Sequence, residues 1–112
     1  MITIPTHADI YVLPVYIELG QSIDFYVAQC NRYQLHPRSG DLFVFRDEKA
    51  IMIGVLRYDG NGYQWCVKRF SQGTLTGWPK AVTETGVVKI SSRELENMWI
   101  NNTDRSDRCA RV

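Results

Sequence analysis

The chain has 112 residues, 45% of them apolar and 22% charged, with thirteen Lys and Arg against twelve Asp and Glu for a formal charge of +1. That length suits one domain with one core, the balance excludes a disordered or fibrous chain, and the small net charge excludes the bulk field that makes a protein adhere to any polyanion. A polyanion would have to be held locally, and residues 32–70, with seven basic groups against four acidic ones, form the candidate patch.

The start of the chain, MITIPTHADIYVLPV, has no basic stretch followed by a continuous apolar one, so it reads as an approach to a first strand rather than a signal peptide. No run is long enough to span a membrane. DIYVL, residues 9–13, is β-branched and aromatic, and Pro14 is expected to end that strand or confine it to an edge. After Gly20, Ile23, Tyr26, Val27, Cys30 and Tyr33 recur at the spacing of one helical face, with Ser22 as N-cap and His36-Pro37 as the stop.

From Asp41 the period changes. DLFVF, AIMIGVLRY and GYQWCVKRF are separated by the polar turns RDEK and DGNG, which reads as an antiparallel meander. Asn61-Gly62 suggests a type I′ hairpin that sets Tyr58 against Trp65, Leu56 against Val67 and Arg57 against Cys66. On that register Lys68 joins Arg57 on an exposed face, while Arg69 shares the aromatic face and lies opposite Gly54, whose missing side chain leaves it room. Residues 71–86 read as irregular with a brief strand at Thr74 to Thr76, Trp78-Pro79 pinning the segment to the body. VVKI is a further strand, Ser91 to Glu94 has the form of a capping box, and Leu95, Met98 and Trp99 follow at helical spacing.

The expected fold is α+β: a single domain over residues 1–102, mostly antiparallel, with an N-terminal and a C-terminal helix over one face of the sheet, and a polar, disordered tail at 103–112. The odd, widely spaced Cys30, Cys66 and Cys109 argue against a disulfide framework or a zinc site, and point to a reducing cytoplasm with Cys30 and Cys66 as small buried hydrophobes.

Candidates for chemistry are few. His7 and His36 are the only bases for a nucleophile, and both lie in polar segments. The acids are scattered rather than converging on an ion, and DGNG lacks the helix start and lysine of a phosphate loop. No catalytic residue, metal or cofactor is expected. What remains is a surface of basic and aromatic side chains, Arg69, Lys68, Arg57, Arg46, Lys49 and Trp78, a mixture that suits nucleic acid and a protein interface equally.

The order of HPRSGDLFVFR, then VLRYDGNGYQWCVKRF, then a glycine and Trp-Pro resembles the TnpB accessory protein, or Orf-two product, of insertion-sequence-66-type transposable elements. The correspondence runs through Pro37, Ser39, Gly40 and Leu42 to Phe45, through Tyr58, Asp59, Gly60 and Gly62, through Lys68, Arg69 and Phe70, and through Gly73, Trp78 and Pro79 to a closing helix from Ser92. It implies a bacterial, cytoplasmic and non-enzymatic accessory of DNA transposition, partnered by transposon DNA, the transposase of the same element, or both. Where such proteins carry Asp-Met-Arg-Lys, this chain has Glu18, Leu19, Gly20 and Gln21; a strand lysine is replaced by Gly54, and an arginine-rich turn by Asp47, Glu48 and Lys49. Those departures leave open a diverged or solitary protein-interaction module without DNA binding.

Overall fold

A computed structural model describes residues 4–80 and 83–100 of the chain. Its elements in order are β1 (Ile10–Tyr16), α1 (Ile23–Arg32), β2 (Leu42–Arg46), β3 (Met52–Tyr58), β4 (Tyr63–Arg69), β5 (Val88–Ile90) and α2 (Ser92–Ile100). They build a five-stranded sheet in the order β4-β3-β2-β1-β5. The α+β class and single domain are as expected; the tail from residue 103 lies outside the described residues.

Both helices start as the sequence dictates. Ser22 accepts a hydrogen bond from the Phe25 amide at the head of α1, and Ser91 and Glu94 each accept one from the other's amide at the head of α2. The helices do not share a face. Alternation along β2 sends Phe43 and Phe45 one way, with Leu13, Leu56 and the α1 residues Tyr26 and Cys30. Leu42 and Val44 go the other way, with Ile10, Ile53, Val55 and the α2 residues Leu95 and Met98. Both sides of the middle strands are therefore apolar, and one helix covers each.

β1 and β2 pair in parallel, across the connection that contains α1, while the other three pairings are antiparallel. β1 does not stop at Pro14. It pairs Ile10 to Val12 with Leu42 to Val44, then spends three residues, Leu13 to Val15, where β2 spends one, and resumes with Tyr16 opposite Arg46. The proline, which has no N–H to give, sits in that irregular stretch, where no ladder bond is demanded of it. The expected strand at Thr74 to Thr76 does not form; instead Leu75 is buried and its amide donates to the Ala50 carbonyl.

The β3–β4 hairpin is displaced by two residues from the expected register. Tyr58 pairs with Tyr63, Leu56 with Trp65, Gly54 with Val67 and Met52 with Arg69. Neither Asn61 nor Gly62 has positive φ; Gly60 does, at 108°, and the Asp59 carboxylate accepts from both the Asn61 and Gly62 amides. The side chain of Asp59 therefore closes a four-residue loop instead of a two-residue I′ turn. A two-residue shift leaves each side chain on its expected face but changes its neighbours. The space over Gly54 is filled by the Trp65 indole, which a Cβ there would meet at 2.5 Å, and not by Arg69. The indole in turn stacks on Tyr26 with centroids 4.0 Å apart.

Candidate partner-binding surface

The sheet has two ends, and the basic residues divide between them. β2 finishes at Arg46, the turn carries Lys49, and β4 finishes at Lys68 and Arg69, so these four cations lie at one end. Arg57 lies at the other. It pairs with Gln64, whose side-chain oxygen accepts from its guanidinium at 3.0 Å, whereas Lys68 pairs with Ile53, four residues and so about 13 Å farther along β3. Arg57 and Lys68 thus share a face, as expected, but are not the close neighbours that pairing Arg57 with Cys66 implied.

Lys68 is not free either. Its ammonium donates to the Trp99 carbonyl at 2.6 Å, in the last turn of α2, and its Nζ lies 5.5 Å from the centre of the Phe70 ring. α2 has no basic residue of its own in that turn, so a lysine from β4 supplies the positive charge that a helix C-terminus favours. Burial lowers its pKa from the ordinary lysine value. Arg69 projects on the opposite, α1 face, exposed beside the edge of the core.

Arg46 is the best-defined member of the group. Its guanidinium carbon lies 4.0 Å from the centre of the Tyr16 ring and 5.7 Å from that of Trp78, while Nε donates to the Asp47 carbonyl at 3.2 Å. The irregular stretch of β1 is what brings Tyr16 opposite it. Trp78 reaches the same place from the segment after β4, its ring partly packed on the α2-side core. Arg46, Tyr16 and Trp78 border a cavity of about 400 Å³ whose wall also includes Pro14, Pro79 and Lys80.

In the β2–β3 turn, the Asp47 carboxylate accepts from the Ile51 and Met52 amides, both at 2.9 Å, and is committed to the turn. Lys49 is exposed.

Of the six residues expected from the sequence, the structure gathers Arg46, Lys49, Lys68, Arg69 and Trp78 at one end and leaves Arg57 out. Sequence reading passed over Tyr16 and Lys80. Lys80 follows Trp78-Pro79 directly and could have been included with them; Tyr16 lies beyond the proline at which the strand was expected to stop.

The remaining expectations concern chemistry. Cys30 is buried, and burial pushes its thiol up to about 12; Cys66 is half-exposed rather than buried, and both thiols are free. Cys109 lies outside the described residues. His7 and His36 are exposed. Among the described residues no group of three or more His, Cys, Asp or Glu is placed to hold a metal ion, and no helix is long and apolar enough to cross a membrane.

A comparison with curated proteins finds the uncharacterized protein y4hO of Sinorhizobium fredii, 37% identical over 62 residues. That match covers 55% of this chain and 51% of the relative, so the chain spans about half the length of that protein. No solved structure matches. A family model described as IS66 Orf2 like protein matches residues 8–105, which takes in every strand and helix described above, and the chain belongs to that family.

Proposed function

We propose that this protein is a non-enzymatic accessory of DNA transposition that acts by binding DNA through the end of the sheet holding Arg46, Lys49 and Arg69. Membership of an accessory family of insertion sequences supplies the context. The observation that carries the DNA contact is Arg46, over the Tyr16 ring and within reach of Trp78 at the rim of a cavity that Lys80 also lines. A guanidinium positioned by rings loses little freedom when it meets a phosphate, and an accessible aromatic beside it offers a stacking surface to an unpaired base.

The contact is modest. Lys68 is occupied by α2, and Asp47 and Glu48 sit in the same turn as Lys49, so few phosphates can be engaged and affinity falls as salt rises. Labelled transposon-end DNA titrated by fluorescence anisotropy at low and physiological salt tests this reading. Arg46→Gln with Lys80→Gln is expected to weaken low-salt binding about tenfold and to flatten the salt dependence by roughly one to two phosphate contacts. Absence of binding at low salt removes the DNA contact.

A second reading, contact with the transposase, draws on Lys49 and Arg69, because Lys68, Arg57 and Arg46 each already bond within the chain. A pull-down of the transposase that is lost on Lys49→Ala with Arg69→Ala, in a protein that fails to bind DNA, would support it.

A further inference from the structure

The sheet has two edge strands, and they differ. β5 is three residues long. β4 is seven residues long, and among the described residues its outer side pairs with no strand and takes no backbone hydrogen bond. The inner side is full. The Asp59 amide donates to the Gly62 carbonyl at the turn, and the Phe70 amide to the Ile51 carbonyl at the far end. Alternation between those two bonds directs the backbone groups of Gln64, Cys66 and Lys68 to β3 and leaves those of Tyr63, Trp65, Val67 and Arg69 directed outward.

We infer that β4 is a self-association edge, on which the β4 strand of a second copy of this chain pairs antiparallel about a two-fold axis at Cys66. An isologous pair must place one strand's residues against the same strand reversed. The register that uses all seven residues sets Tyr63 against Arg69, Gln64 against Lys68, Trp65 against Val67, and Cys66 against itself. In this register every outward-facing backbone group meets another outward-facing one, so the ladder closes without a slip.

The charges agree with it. All the charge of β4 is in its last two residues, Lys68 and Arg69, and the two-fold axis sets each against a neutral Gln64 or Tyr63. Centring the pair on Lys68 instead would oppose like charges, which is destabilising. Val67 is 37% exposed and would be covered by Trp65 of the second copy. Edge strands of this length are ordinarily blunted by bulges, prolines or charges; β4 has neither bulge nor proline, and its charges are confined to Lys68 and Arg69 at one end, which leaves Tyr63 to Val67 without such a device. The result is a continuous ten-stranded sheet with the basic end of each copy displaced to opposite sides of the seam, an assembly that does not depend on the proposed DNA contact.

The Cys66 pair makes the register measurable. It falls at a non-hydrogen-bonded position, where antiparallel Cα atoms lie ~4.5 Å apart, within the span a disulfide can bridge. In a Cys109→Ser background, with Cys30 buried, mild oxidation by copper phenanthroline is expected to give a reducible covalent dimer that Cys66→Ser abolishes. Sedimentation equilibrium of the reduced protein from micromolar to millimolar concentration is expected to show a monomer–dimer equilibrium.

Val67→Pro removes one outward N–H without touching the β3 ladder, and is expected to weaken the dimer at least tenfold while circular dichroism shows the fold retained. A protein that stays monomeric over that range and forms no Cys66 disulfide overturns the inference. So does a dimer of unchanged affinity in folded Val67→Pro. Should that variant fail to fold, the Cys66 crosslink alone decides.

Discussion

Cys30 shows how a single buried residue writes a pH dependence into stability. It has no exposed surface, and burial raises its pKa from 9.0 in the reference state to about 12. Between those values the unfolded chain releases a proton that the folded chain keeps. Stability from this group is therefore full below pH 9 and is lost as the pH rises toward 12, with a slope approaching ~1.4 kcal/mol per pH unit. Urea unfolding of the wild type and of Cys30→Ala at pH 8 and pH 10 checks it. The wild type is expected to lose more stability than the variant over that interval, and equal losses would show that the thiol does not contribute.

At the scale of elements, α2 packs on the core built from β1, β2 and β3 and is tied to β4 at its end. Leu95 and Met98 are buried on the sheet, and Lys68 holds the last-turn carbonyl of Trp99. Lys68→Ala is expected to destabilise the fold by roughly 1 kcal/mol, from the lost charge at the helix end and a carbonyl left with one partner fewer. Arg69→Ala, one residue on and exposed, is expected to stay within about 0.5 kcal/mol of the wild type. Chemical unfolding of the two variants separates the adjacent cations by role. Equal effects would deny Lys68 its cap.

β1 shows the same interdependence in another form. Its irregular stretch around Pro14 costs regular ladder bonds between Val12 and Tyr16, and in return Tyr16 lies against Arg46. The proposed binding surface is thus a product of a strand defect rather than of any motif.

For the whole molecule, the sheet divides the core into two apolar layers that share a backbone but not side chains. Substitutions in different layers should act independently. Ile53→Val, on the α2 side, is expected to cost about 0.5–1.5 kcal/mol, and Leu13→Ala, on the α1 side, about 2–5 kcal/mol. Their double mutant should equal the sum within about 0.5 kcal/mol. A larger coupling, read by denaturant unfolding, would mean that the layers repack together through the sheet.

Much of this fold is legible in the sequence because it is encoded locally. The Ser22 cap, the Ser91 and Glu94 capping box, the helical spacing of Tyr26 and Cys30, and the strands flanking DGNG each depend on residues within a few positions of one another. What tertiary structure decided was everything that joins distant parts. The parallel pairing of β1 with β2 requires a crossover, and no local period distinguishes it from an antiparallel neighbour. The apolar runs of β2 and β3 signal two buried faces only when both helices are in place, so no local pattern puts the helices on opposite faces.

The basic residues show the same boundary. Their identity and the face each occupies follow from alternation, which survives a two-residue shift of register. Their company does not: Lys68 belongs to a helix end 31 residues away, Arg57 stands apart, and Arg46 joins a tyrosine from beyond a proline and a tryptophan from a segment without regular structure. Sequence fixes which side chains can point together, because backbone geometry repeats. Which of them meet depends on long-range packing, and here that packing ties Lys68 and Arg57 to partners within the fold and sets Arg46 against Tyr16 and Trp78.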